Sequence, residues 1–221
     1  MDIAQTLVRS GAYRDLDEPV IVTSGEFLTP FFVNAEKLCG DPGMDAFLAE
    51  AGGRDDAVIE HACSLAEGGE FGGVVDEIAG VVAAIGRVRP VAAISGGQRR
   101  DWLFSGPVSR RLGLVHLSLY KQAPGQGPAE DRVVARSAAG AETGTEVAAG
   151  ATVVHVVDML TAASSCYSSD PVSGREVGWI PMLRSRGAVV HDLVAVVSRR
   201  QGGEEALSRV GVAVRSLVAG D

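Results

Sequence analysis

The sequence predicts an α/β fold, a mainly parallel, twisted sheet with helices on both faces. Three observations carry it. From Pro90 onward, short apolar runs of strand length alternate with helix-length segments, the rhythm of β-α-β units. The runs at 91–95, 152–157 and 188–197 are almost unbroken in apolar character, as strands covered on both faces must be. The 221 residues are 46% hydrophobic and 5% aromatic with 28 glycines, which suits many strand–helix turns better than a β-sandwich. That length fits one domain, residues 1–221, with residues 1–50 as a small N-terminal hood and residues 85–221 as the core sheet.

The elements follow in order. Residues 2–9 read as a short amphipathic helix with Ile3, Leu7 and Val8 on one side. Residues 19–23 and 31–35 are β-rich and flank Ser24-Gly25-Glu26, so they predict a hairpin. A Gly-Asp-Pro-Gly break at 40–43 precedes a helix over 44–51. Helical segments over 57–67 and 74–85 are separated by the pairs Gly68-Gly69 and Gly72-Gly73. Then come a strand at 91–95, a helix over 101–112 closed by Gly113, and a strand at 115–120. Residues 122–131, rich in Gly, Pro and Ala, predict a loop. After the strand at 152–157 a long interrupted helix ends at Gly187. A strand at 188–197, a helix over 204–210 and a strand at 212–217 complete the chain. In such sheets ligands bind at the carboxyl ends of the strands, so the loops after Ile94, Leu119, Val157 and Val197 are expected to meet at one edge.

Charge and composition exclude several classes. A net charge of −8 argues against a nucleic-acid surface, which needs a basic face. The apolar runs are too short to span a membrane, no basic-plus-apolar leader is seen, and a cytoplasmic protein is expected. Cys39, Cys63 and Cys166 lack C-x-x-C spacing and read as structural thiols. The four histidines show no paired spacing, so no protein-ligated metal is expected. His116 and His155 lie within apolar strands, where a buried, hydrogen-bonded ring is the expectation.

The stretch T-V-V-H-V-V-D-M-L-T-A-A-S-S, residues 152–165, is the most informative. A buried strand runs into one acid, Asp158, and then into small and hydroxylated residues. An acid there can hold ribose hydroxyls, and the hydroxyls and main-chain N–H groups after it can cradle a phosphate. Three further segments converge on the same edge. Ser95-Gly96-Gly97-Gln98-Arg99-Arg100 offers two glycines for close approach and two forked donors. Tyr120-Lys121 opens the loop at 122–131, and Ser198-Arg199-Arg200-Gln201 follows the strand at 188–197.

Together these segments resemble the type I phosphoribosyltransferases, most closely the orotate phosphoribosyltransferases, over about residues 20–217. S-G-E-F-L-T-P-F-F-V-N-A (24–35) is similar to the family's S-G-x-x-S-P-x-F-x-N segment. V-V-D-M-L-T-A-A-S-S is similar to its D-D-V-I-T-A-G-T motif for phosphoribosyl diphosphate (PRPP), and S-R-R-Q-G-G to its D-R-Q-x-G segment. The resemblance implies attack of a pyrimidine nitrogen on C1 of PRPP with release of pyrophosphate, as in pyrimidine nucleotide biosynthesis. It assigns the catalytic positions to Asp158, Arg100 and Lys121. PRPP would be held by Arg99, Arg100, Asp158, Thr161, Ala162, Ala163, Ser164 and Ser165. Phe31 and Phe32 would border the base and Arg200 would pair with its carboxylate. Mg²⁺ would arrive mainly on the PRPP oxygens, and the partner would be a second copy in a homodimer.

The chain departs from the family pattern inside these motifs. The paired acids are Val157-Asp158, the glycine of the phosphate loop is Ala163, and Thr23 stands at a basic position. The loop at 122–131, with Lys121 before it, keeps one lysine, and residues 166–177 form an insertion that delays the next helix until about 177–179. Two other readings stay open: a non-catalytic PRPP- or nucleotide-binding regulator on the same scaffold, and a transferase for a different acceptor.

Overall fold

The computed structural model describes all residues except 22–27, 122–131, 145–146, 170–171, 173 and 220–221. The chain opens with α1 (Ile3–Arg9), capped by the Asp2 side chain, which accepts from the Gln5 amide. The antiparallel pair β1 (Tyr13–Ile21) and β2 (Leu28–Val33) follows, then a 3₁₀ turn (Ala35–Cys39). Helices α2 (Met44–Ala51), α3 (Asp55–Leu65) and α4 (Gly69–Gly86) come next. The remainder is β3 (Ala93–Gly97), α5 (Trp102–Leu112), β4 (Val115–Tyr120), β5 (Arg132–Arg136), β6 (Glu142–Gly144), β7 (Thr152–Leu160), β8 (Ser168–Ser169), β9 (Glu176–Val177), α6 (Trp179–Ser185), β10 (Val189–Ser198), α7 (Gly203–Arg209) and β11 (Ala213–Ala219).

Seven strands form one sheet in the order β11-β10-β7-β3-β4-β5-β6. The first five are parallel to their neighbours and the β4-β5-β6 edge is antiparallel. Strand alternation divides β7 between two apolar layers. Val154 and Val156 pack with α3, α4 and α5, while Val153 and Val157 pack with α6 and Leu207 of α7. Both faces are therefore covered, as the unbroken apolar runs require.

Several elements differ from expectation. Val8 is exposed, because seven residues of helix turn only Ile3, Thr6 and Leu7 inward. Gly72 and Gly73 do not interrupt α4, where neighbouring apolar residues carry the helix past them. Strands β5 and β6 add to the expected elements, and neither has a long apolar run. β7 continues three residues further than expected, so Asp158 lies within the strand. In place of a long interrupted helix there is the short β8–β9 pair and then α6, which starts at Trp179 as the insertion implied. The turn at 24–26, Thr23 and the loop at 122–131 lie outside the described residues. Among the described residues no helix is long and apolar enough to cross a membrane. The three cysteines are free and buried.

Candidate functional site

The carboxyl ends of β3, β4, β7 and β10 lie together at one edge. The Gln98 amide donates to the Leu119 carbonyl (2.9 Å), and the Arg199 amide to the Leu160 carbonyl (2.9 Å). Between β3 and β7, the two central strands, a side chain supplies the link. The Asp101 carboxylate accepts from the Gly97 amide at Oδ2 (3.0 Å) and from the Asp158 amide at Oδ1 (3.0 Å). Asp101 is 9% exposed and, at the position just before α5, makes no capping bond to that helix.

Asp158 is half-buried beside it and its Oδ1 accepts from the Met159 amide (2.6 Å). Burial first, and then the Asp158 charge, push Asp101 well above the ordinary carboxylate range. Burial raises Asp158 too, opposed by the Met159 amide and the Arg100 guanidinium.

Residues 161–165 wrap the end of β7. Thr161 and Ala162 are half-buried, Ser164 and Ser165 are exposed, and Ala163 is buried. Ala163 sits at φ 62°, in the left-handed region, so the turn keeps the backbone that a glycine would favour without the glycine. Its carbonyl accepts from the Cys166 and Tyr167 amides, both at 2.8 Å. The Ser165 and Cys166 carbonyls take the first amides of α6, from Trp179 (3.1 Å) and Ile180 (3.0 Å). Those helix amides are thus engaged by the loop itself.

The segment from Gly96 onward, whose two glycines belong to the end of β3 and not to the loop after it, is built differently from expectation. A Cβ on Gly96 would collide with Ser105, and one on Gly97 with the Trp179 indole, so both glycines serve packing within the protein. The Gln98–Arg99 peptide is cis. Arg99 is half-buried and donates to the Leu48 carbonyl of α2. Arg100 is exposed and ion-paired with Glu36 of the 3₁₀ turn, which is 2% exposed. Burial first, helped by a hydrogen bond with Asp45 and opposed by Arg100, pushes Glu36 up to about 7. Lys121, at the end of β4, holds its Nζ 4.5 Å from the centroid of the Trp179 ring.

The base-binding expectations divide. Consecutive residues on β2 face opposite ways. Phe31 stacks on Tyr13 (5.6 Å between centroids) and faces the sheet, whereas Phe32 is 40% exposed beneath Arg14. Phe32 therefore lies on the side away from Phe31. Arg200 is exposed at φ 50°, and it is Arg199, 5% exposed, that meets Phe31. Its guanidinium stands 5.1 Å from the ring centroid and its Nη2 donates to the Phe31 carbonyl (2.9 Å). The sequence signal for Arg199 was its adjacency to Arg200; nothing local in sequence marked Glu36 or Trp179.

The strand histidines are buried as expected. His155 Nδ1 shares a hydrogen bond with Ser95 Oγ (2.9 Å), and His116 with Ser105 and Ser118 (2.8 and 3.2 Å). Burial holds both rings down at about 3, so they are neutral and lie outside the acid–base chemistry of the site.

No protein-family model matches the chain, and no curated protein does. Solved structures do. The orotate phosphoribosyltransferase of Aeropyrum pernix is 21% identical, with 98% of this chain and 93% of that one covered at a TM-score of 0.57. The UMP synthase of Leishmania donovani is 18% identical at a TM-score of 0.56; 98% of this chain is covered, and the chain spans only 35% of that synthase. The adenine phosphoribosyltransferase of Leishmania donovani is 16% identical, with 99% and 80% covered at a TM-score of 0.54. The order of the sheet, the hairpin ahead of it and these likenesses together give the chain the type I phosphoribosyltransferase fold.

Proposed function

We propose that the chain is a phosphoribosyltransferase that joins orotate, or a related pyrimidine base, to PRPP with release of pyrophosphate. One observation carries the reading. Asp158 lies near the carboxyl end of β7, with the hydroxyl-rich turn 161–165 following that strand and Arg100 beside the acid, so one edge offers groups for a ribose, a 5′-phosphate and a pyrophosphate. The fold likeness to orotate and adenine phosphoribosyltransferases supports the reaction class, since fold alone leaves the chemistry open.

In this reading Asp158 accepts from the ribose hydroxyls, and Thr161, Ala162, Ala163, Ser164 and Ser165 surround the 5′-phosphate. Arg100 and Lys121 face the departing pyrophosphate, whose charge must be neutralised as the ribose carbon becomes cationic. Phe31 borders the base, with Arg199 or Arg200 for its carboxylate. In this reading Mg²⁺ arrives mainly on the PRPP oxygens, as suits a hard ion that keeps several waters. The ion would supply charge neutralisation on the diphosphate. A homodimer in the cytoplasm completes the proposal.

Mixing the protein with PRPP, Mg²⁺ and orotate, and following orotate absorbance, tests the reading. Consumption of orotate supports it. No consumption, together with no PRPP-induced rise in melting temperature, sinks it. A second reading, PRPP or nucleotide binding without turnover, is favoured by the Arg100–Glu36 pair, which occupies the pyrophosphate arginine. It predicts calorimetric binding of PRPP with no base consumed. PRPP consumption with another base but not orotate would assign a different acceptor.

A further inference from the structure

Where the resemblance has two adjacent acids, this chain has Val157-Asp158, and Val157 is 3% exposed in the apolar layer with Trp179 and Leu160. A second carboxyl nevertheless stands next to Asp158, delivered by a different element. Asp101 lies at the start of α5, its two oxygens on the amides of Gly97 and Asp158, and its side chain in hydrogen-bond contact with that of Asp158. Two carboxyls in such contact and largely out of water cannot both carry charge, because their repulsion is not screened. One proton then serves both, and the pair titrates as a unit.

We propose that Asp101 and Asp158 form one acid pair holding a single proton, in which Asp101 is the positioning residue that keeps Asp158 ionised and aimed at the vicinal hydroxyls of a sugar phosphate. The sugar ligand rests on the phosphoribosyl reading; the pair itself does not. The division of labour follows from burial. Asp101 is 9% exposed, and its burial with the Asp158 charge outweighs the two amide bonds that favour its charged form, so it takes the proton, while half-buried Asp158 keeps its acceptor oxygens toward the edge. Among the described residues, three charged or titratable groups act around the pair. Arg100 faces Asp158 and is itself paired with Glu36. The buried Cys166 thiol, pushed up by its surroundings, faces both acids, with Lys121 also acting on it. Loss of the shared proton would set two charges in contact, force Asp158 from its hydroxyl-binding position and weaken the sugar site.

Carbon-13 spectra of the ligand-free full chain test the pair. The side-chain carboxyl carbons of Asp101 and Asp158, assigned with D101N and D158N, are followed from about pH 3 to about pH 9. The expected result is that both carbons report the same steps and the last proton leaves well above the ordinary aspartate range. In D101N, Asp158 should titrate in one step at lower pH. Separate, independent titrations of the two carbons within the ordinary range would overturn the pair.

Calorimetric titration with metal-free ribose 5-phosphate tests the role. Wild-type affinity should fall at least about tenfold as the shared proton is lost. D101N, which keeps a neutral group beside Asp158, should bind within about threefold of the low-pH wild type and lose the pH dependence. D101A should bind at least about tenfold more weakly at every pH. A flat wild-type profile with D101N as weak as D101A would make Asp101 a purely structural tie and overturn its role. Absence of binding in every variant, with the shared titration still present in the spectra, would overturn the sugar ligand and the phosphoribosyl reading beneath it while leaving the pair standing.

Discussion

The Arg100 guanidinium is ion-paired with the Glu36 carboxyl, so the segment ahead of α2 reaches over the loop after β3 and holds the arginine best placed for a pyrophosphate. Glu36 is buried and Arg100 is not, which makes the arginine the partner that can be taken away by a competing anion.

Glu36→Gln should therefore tighten inorganic pyrophosphate binding by about three- to tenfold, a modest gain because Arg100 is more than half exposed and screened by solvent. Wild-type affinity should rise as pH falls through about 7, where Glu36 takes up its proton and releases Arg100. The glutamine variant should lack that rise. Calorimetry with pyrophosphate across this pH range reads both effects, and identical wild-type and variant profiles would show that Glu36 does not compete for Arg100.

Restoring the family's first acid by Val157→Asp should fail. The Val157 side chain faces the apolar layer of α6, away from Asp101 and Arg100, so the new carboxyl would be buried without a partner. A loss of about 3–5 kcal/mol is expected, with no gain in turnover or PRPP affinity. Urea unfolding measures the first and calorimetry the second; a stable variant with tighter PRPP binding would contradict this placement.

Ala163→Gly should do the opposite. The alanine is held at φ 62°, where a Cβ costs about 1–2 kcal/mol, and the glycine's greater freedom in the unfolded chain takes back about half of that. The net expectation is a gain of about 0.5–1 kcal/mol in urea unfolding, with phosphate affinity improved a few-fold by the opened turn. A loss of stability would show that the alanine methyl, which is buried, contributes more to packing than it costs in backbone conformation.

These contrasts show where sequence reading reached and where it stopped. The parallel core was legible because β3, β4, β7 and β10 are apolar runs between glycine-marked turns, and periodicity is a local property. Helix α2 and strand β4 fall at the expected residues for the same reason. Asp158 and the turn after it were legible because acid, hydroxyls and small residues are contiguous. Strands β5 and β6 were not, since their pairing is antiparallel on one edge and their apolar content is low. Contacts made across the fold left no local mark. Asp101 acts on a residue of β7, Glu36 on Arg100, and Trp179 on Gly97, each far apart in sequence. Arg199 and Arg200 could not be told apart until β10 showed which one turns toward Phe31.

A buried ion pair braces the strand that leads to Lys121. Asp55 at the start of α3 accepts from Nε and Nη2 of Arg136 on β5 at 2.6 and 2.7 Å, and Ser118 and Tyr120 of β4 also hydrogen-bond to it. Burial alone would raise this carboxyl, but those four-sided contacts outweigh it and hold it at about 2. A depressed carboxylate stabilises the fold above its unfolded value of 3.8 and loses that contribution as pH falls toward about 2, here about 2 kcal/mol. Glu36 has the opposite sign. Its raised value favours the folded state at low pH, and that advantage is lost as pH rises from 4.5 to about 7. Stability should therefore peak between these two windows. Asp55→Asn should remove the acid-side fall and cost a further about 3 kcal/mol by leaving Arg136, only 11% exposed, with the more distant, half-exposed Glu142 as its ion partner. Glu36→Gln should flatten the neutral-side decline and leave the acid side unchanged. Urea unfolding of the wild type and both variants from about pH 3 to about pH 8 separates the two, and an acid-side fall that survives in Asp55→Asn would show that another carboxylate clamps β4 to β5.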